Sequence, residues 1–252
     1  VYDCLQNNGR LIAEAGTGTG KTFAYLVPAL LSRQRVIIST GTKTLQEQLF
    51  HRDLPTVRDA LKVPAAIAML KGRANYLCPY RLDRELQEGW LVSKQEVNWL
   101  EKIRSWAGRT NTGDMSELTS IPEDAALRSR VTSTTESCLG SDCPHQEDCF
   151  VIDARRKAQE ADVLVINHHL LFADMMVKAD GFGEVLPGAN AFILDEAHQV
   201  PQIAADFFGR SFSSRQIQEL LHDFEAEQLA QFGNGEQSAE LVRPLRESLT
   251  LI

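Results

Sequence analysis

Glu14-Ala15-Gly16-Thr17-Gly18-Thr19-Gly20-Lys21-Thr22 lies between an apolar run, Leu11-Ile12-Ala13, and a helical pattern opening at Phe23-Ala24-Tyr25-Leu26. Strand, glycine-rich turn, Lys-Thr and helix make a phosphate-binding loop in its expected setting. Gly16, Gly18 and Gly20 let the backbone curl so that successive N–H groups point inward. The helix start adds free donors and a positive dipole end. Ala15 stands where the pattern has its first glycine and is small enough to fit. Lys21 is then expected to reach the β- and γ-phosphates of ATP, and the Thr22 hydroxyl to ligate Mg²⁺. A second set, Asp195-Glu196-Ala197-His198, ends the apolar strand Phe192-Ile193-Leu194. Ligands of open parallel sheets bind at such strand ends. Asp195 suits Mg²⁺, Glu196 suits orienting and deprotonating an attacking water, and His198 suits coupling the site to a neighbouring surface. Alone, Asp-Glu after a strand is common surface chemistry; beside a phosphate loop it completes one Mg–ATP site.

A third set is Cys78, Cys138, Cys143 and Cys149, three close thiols and one distant one. Four thiolates suit a 4Fe–4S cluster or a structural Zn²⁺, and spacing alone does not choose between them. His145 lies among them but is surplus to four thiols, and Cys4 reads as a small buried apolar residue.

These groups need a scaffold. Leu11–Ala15 reads as a first strand, followed by a helix to about Ser32. Val36-Ile37-Ile38-Ser39 is a β-branched run of the kind buried on both faces of a parallel sheet. A helix carrying Leu45, Leu49 and Phe50 follows, then a third strand within Ala65–Leu70. This βαβαβ pattern implies a parallel sheet with right-handed crossovers. From Asn75 to Val151 the rhythm stops: cysteines, a polar stretch at Asn111–Asp124, and a capping box at Ser93–Glu96 before Val97, Leu100 and Ile103. After an Arg155-Arg156-Lys157 helix, strands resume at Val163–Ile166 and Ala191–Leu194. Beyond Pro201 the chain turns helical, with a further capping box at Ser213 and Gln216. The expected organisation is a motor domain at 1–74 and 156–202, an inserted cluster domain at 75–155, and the start of a helical arch at 203–252. The insertion is expected to lack apolar residues for a core of its own, so that the cluster ties its ends.

The 252 residues are 43% apolar and 24% charged, an ordinary globular composition. A net charge of −8 argues against coating nucleic acid by bulk electrostatics while leaving room for a local basic track. No apolar run reaches the length of a membrane span and no signal peptide is visible, so a cytoplasmic, reducing compartment is expected.

Gly16–Thr22 and Asp195–His198 resemble motifs I and II of DEAH-box superfamily 2 helicases. Lys71-Gly72-Arg73-Ala74-Asn75-Tyr76-Leu77-Cys78 and Val165-Ile166-Asn167-His168-His169-Leu170 are similar to segments of the iron–sulfur helicases of the XPD/DinG group. Cys138–Pro144 and Val185–Gln199 resemble its bacterial YoaA branch. The resemblance implies a P-loop, RecA-like α/β fold and a 5′–3′ ATP-dependent DNA helicase of repair and replication, working on single-stranded or forked DNA. A nucleoid-associated place in a bacterium and replication or repair proteins as partners follow from it. It favours iron over zinc. It also implies an adenine-recognition motif before Val1 and a second RecA-like domain with arginines, so the chain reads as an N-terminal motor fragment that hydrolyses little ATP by itself.

For DNA, Lys71 and Arg73 with Tyr76 offer cations for phosphates and a ring for bases, and Tyr80, Arg81 and Arg84 extend that pattern or form a solvated charged helix. Thr40, Thr42 and Lys43 resemble a backbone-contacting motif, and Asn167 and His168 close a strand at the same rim. Trp99 and Trp106, at helical spacing, read as core; Trp90 is a further aromatic. Two other classes compete: a P-loop ATPase switch that drives a partner protein, and a DNA-binding metal module.

Overall fold

The computed structural model describes residues 1–16, 18–88, 93–179, 185–209, 221, 224 and 242–244. The capping box at Ser213 and Gln216, Trp90 and Thr17 lie outside them. Two compact units are present, Val1–Phe207 and Phe208–Ile252, and the first contains the whole sheet and the insertion.

Four parallel strands, β1 (Val36–Thr40), β2 (Ile67–Met69), β3 (Val163–Asn167) and β4 (Ala191–Leu194), form a sheet in the order β2-β3-β1-β4. Short helices α1 (Tyr2–Gln6) and α2 (Lys21–Leu31) precede it. From β1 the chain reaches β2 through α3 (Lys43–Gln48), a π-turn at Leu49–Asp53 and α4 (Leu54–Leu61). Between β2 and β3 lie α5 (Pro79–Glu88), α6 (Lys94–Ala107), α7 (Ala126–Val131) and α8 (Phe150–Glu160). α9 (His168–Ala179) leads to β4, and α10 (Val200–Phe208) follows it.

The central strands are covered on both faces because Val36–Ile38 of β1 and Val163–Ile166 of β3 are apolar at every position. Ile37, Leu164 and Ile166 point into a cluster with Ala154 and Ala158 of α8 and Leu170 and Leu171 of α9. Val36, Ile38, Val163 and Val165 point the other way, against Leu26 and Leu30 of α2 and Leu54 and Val57 of α4. Gln46, fully buried, donates from Nε2 to the carbonyls of Leu70 (2.9 Å) and Val165 (3.2 Å) and so pins α3 to the sheet.

Two expectations change. Leu11–Ala15 forms no strand: residues 11–16 run as exposed, irregular chain and Ile12 is fully exposed. An edge strand gains one ladder only, and three apolar residues ahead of Glu14 and Gly16 offer too little burial to offset ordering the segment. The edge strand β4 accordingly exposes Phe192 and Leu194. The insertion, moreover, has a core. Leu77, Leu82, Leu100, Ile103, Met115, Leu118, Ile121, Leu127 and Val131 form one buried cluster, with Trp99 and Trp106 packed against it. The polar look of Asn111–Asp124 hides this, because three of those residues are spaced along a turn and not along a helix. The Arg128 guanidinium shapes that turn by donating to the carbonyls of Met115, Leu118 and Ile121 at 2.6–2.7 Å. Ser93 caps α6 as expected, its hydroxyl accepting from the Glu96 amide.

Candidate nucleotide site

Gly18 and Gly20 both have positive φ, 74° and 85°, and Gly20 delivers the chain into α2. A side chain at either position would be strained, which is why the loop needs glycine there. Lys21 turns its ammonium back along the loop, donating to the Ala15 carbonyl at 2.8 Å and to that of Gly16 at 3.5 Å. The Thr19 hydroxyl donates to the Gly16 carbonyl as well (2.8 Å).

Asp195 follows β4, its amide donating to the Ser39 carbonyl (2.9 Å). Its carboxylate Oδ2 accepts from the Tyr25 hydroxyl at 3.1 Å. Tyr25 stands one turn beyond Lys21 on α2, so this bond brings the phosphate loop and the acidic strand end to one place. Burial first, then the Asp195 charge, pushes the Tyr25 phenol well above its ordinary range. The phenol therefore stays a donor. Thr22, which follows Lys21 at the start of α2, and Asp195, tied to the same helix through Tyr25, supply hard oxygens of the kind that fits Mg²⁺. Glu196 adopts a left-handed conformation, φ 53°, and its carboxylate lies 3.3 Å from His198 Nδ1.

His168 is wholly buried between these parts. Its Nε2 lies 2.9 Å from the Asp195 carbonyl and its Nδ1 2.7 Å from the Ser39 hydroxyl. A carbonyl only accepts, so Nε2 carries the proton and Nδ1 accepts from Ser39. Burial lowers the His168 pKa and keeps the ring neutral, as that tautomer requires. Gly41 is in tight contact with the Gln199 side chain, whose Oε1 would lie 2.3 Å from a Cβ at that position. The turn after β1 is thus packed directly on the turn beyond Glu196.

The four cysteines are free thiols, half-buried, in the insertion and at its edges. Cys149 opens α8, and Cys78 immediately precedes α5 and accepts the Leu82 amide on its carbonyl. Burial raises the Cys78 thiol pKa, and the neighbouring Cys143 and Cys149 raise it further. Arg73 Nη1 donates to Cys138 Sγ at 2.9 Å, and the Gly140 amide does so at 3.4 Å. Arg155 is flanked by Cys138 and Cys149. The donors suit a thiolate-bound centre in kind. Among the described residues, no three His, Cys, Asp or Glu side chains stand in position to hold a metal ion.

Residues 1–74 match the DEAD/DEAH box helicase family. The chain is 53% identical over 223 residues to the ATP-dependent DNA helicase YoaA of Haemophilus influenzae, covering 88% of this chain and 35% of the relative. It is 52% identical to YoaA of Escherichia coli with the same coverage. It is 36% identical over 222 residues to the ATP-dependent helicase DinG of Mycobacterium tuberculosis, covering 79% of this chain and 33% of the relative. This is a DEAD/DEAH box helicase domain of the DinG/YoaA type. The chain spans about a third of the length of these curated relatives.

Within this helicase domain the residues expected on the DNA rim divide sharply. Thr42 and Lys43 are exposed, Thr42 accepting the Leu45 amide as the cap of α3. Thr40 is buried and its hydroxyl donates to the Thr42 carbonyl. His168 offers no exposed atom and serves as a clamp between Ser39 and Asp195. Asn167, half-buried, accepts the Leu170 amide and caps α9. Tyr76 is buried, its hydroxyl accepting from the Lys71 amide (3.0 Å), so its ring is not available for stacking on a base. Lys71 is buried too, its ammonium held by Asp114 Oδ2 at 2.6 Å, by Glu47 and by the Ser116 hydroxyl. A motif rich in cations and rings reads as a nucleic-acid track until its partners are known; here those partners are internal carboxylates. Arg73 is half-buried on Cys138.

Tyr25, Gln199 and Arg155 are the residues that sequence reasoning did not single out. For Tyr25 a signal existed: it stands four residues after Lys21 and three after Thr22, on the same helix face.

Proposed function

We propose that the protein is an ATP-dependent DNA helicase moving 5′ to 3′, with Ala15–Thr22, Asp195 and Glu196 as the first motor domain's share of the ATP site. The Tyr25–Asp195 hydrogen bond carries this reading, because it joins the two motifs that one Mg–ATP site needs. Lys21 leaves the loop carbonyls for the β- and γ-phosphates, and the loop amides and the start of α2 hold the remaining charge. Thr22 and Asp195 would hold Mg²⁺, which neutralises developing charge on the phosphates when bound. Glu196 orients a water and accepts its proton, and His198, beside it and exposed, relays the state of the site outward. Thr42 and Lys43 present a backbone-contacting turn to single-stranded DNA, and the close packing of Gly41 on Gln199 links that turn to the hydrolytic one. The test is phosphate release by the whole protein with and without single-stranded DNA. Turnover indifferent to DNA would favour the ATPase switch that drives a protein partner.

The same reading assigns Cys78, Cys138, Cys143 and Cys149 to a 4Fe–4S cluster in the insertion. The four free thiols of the insertion, with Arg73 and the Gly140 amide donating to Cys138 Sγ, support it. Because the insertion has its own apolar cluster, the centre fixes the cysteine-bearing loops and not the whole subdomain. Anaerobically prepared protein is expected to contain about four irons per chain. Cys143→Ser should lose them, expose 133–149 to protease and leave the sheet intact. Stoichiometric zinc without iron would sink this assignment. Repair and replication are the proposed setting, with forked DNA as substrate. No helix among the described residues is long and apolar enough to cross a membrane.

A further inference from the structure

The phenol of Tyr25 sits in an odd place for a polar atom. The ring belongs to the apolar cluster of Leu26, Ala29, Leu30, Val36 and Ile38, and only 9% of the residue is exposed. A hydroxyl in such surroundings needs a partner, and the partner it reaches is a carboxylate 170 residues away. Asp195 is gripped from a second side, its carbonyl taking the His168 Nε2 proton while His168 is anchored on Ser39 of β1. Side chain and main chain of Asp195 are therefore both fixed, one to α2 and one to the sheet.

We propose that Tyr25 is a positioning residue for the divalent cation of the nucleotide site, holding the Asp195 carboxylate in place. This role rests on the reading of Ala15–Thr22 and Asp195 as a nucleotide site. An ionised carboxylate has about four lone-pair positions. The phenol uses one on Oδ2 and leaves Oδ1 for a water or the cation. Tyr25 would touch neither phosphate nor metal; it acts through Asp195. Outer partners of this kind typically change metal affinity by about 10- to 100-fold when removed.

Tyr25→Phe keeps the ring and deletes only the hydroxyl. Mn²⁺ serves as the probe, its binding read by electron paramagnetic resonance in the full chain with a fluorescent ADP analogue present. Nucleotide affinity is measured separately in chelator, and stability by urea unfolding. The expected result is about a 10-fold weaker Mn²⁺ affinity in Tyr25→Phe, with unchanged nucleotide affinity in chelator and a nearly unchanged unfolding midpoint. Equal Mn²⁺ affinity in the two proteins overturns the proposal. So does a loss of Mn²⁺, nucleotide and stability together, which would assign the hydroxyl to packing alone. Unaltered chain that binds neither Mn²⁺ nor nucleotide would overturn the site reading itself along with it, an outcome distinct from the other two.

Discussion

Replacing Glu196 by Gln in the whole protein is expected to cut ATP turnover by about 10²- to 10⁴-fold while leaving nucleotide bound. The amide keeps the shape of the side chain but has no basic oxygen for the proton of an attacking water. Two observations single out Glu196 over its neighbour. Asp195 is already committed, with its carboxylate on Tyr25 and its carbonyl on His168. The Glu196 side chain is a third exposed and pairs with the still more exposed His198, and the residue is held at φ 53°, a conformation non-glycine residues rarely take. Backbone strain of that kind persists at functional sites because the surroundings enforce it. Phosphate release and retained nucleotide, measured side by side, check the expectation. Turnover within a few-fold of the unaltered protein would move the base elsewhere.

Lys71→Met is expected to destabilise the protein by about 3 kcal/mol, the lower end of the range for breaking a buried ion pair. The Lys71 side chain is 2% exposed and faces two carboxylates, Asp114 at 9% and Glu47 at 27%. Removing the ammonium leaves Asp114 buried without its cation; Glu47, partly solvated, moderates the cost. The two carboxylates belong to α3 and to the turn before Met115, so Lys71 ties the sheet side of the molecule to the insertion. Urea unfolding gives the answer. An unchanged midpoint with a large loss of DNA affinity would return Lys71 to the DNA rim, where the sequence pattern first placed it.

That reversal shows where sequence reading stops. The runs of Val, Ile and Leu in β1 and β3 are legible because burial on both faces keeps them apolar, and both strands fall within a residue of expectation. The phosphate loop and Asp195-Glu196 are legible because their chemistry demands fixed residue types at fixed spacing. Lys71, Tyr76 and His168 are different. Each is a polar residue whose role depends on what the fold brings against it: Asp114, the Lys71 amide, and the Asp195 carbonyl. None of those partners is near enough in pattern to be read from the chain. Leu11–Ala15 failed for the opposite reason, since three apolar residues ahead of Glu14 pair with no neighbouring strand and run as exposed chain.

Everything proposed for this protein depends on whether Ala15–Thr22 and Asp195–Glu196 work as one ATP site under the control of DNA. Phosphate release by the whole protein, with and without single-stranded DNA, beside the Lys21→Ala variant, measures this directly. Lys21 makes its only described polar contacts within the loop, so its removal takes away phosphate charge compensation without cutting a link to the sheet. The expected result is turnover stimulated by DNA in the unaltered protein, with both basal and stimulated rates abolished in Lys21→Ala. Turnover that survives in Lys21→Ala, or that ignores DNA in the unaltered protein, would contradict it.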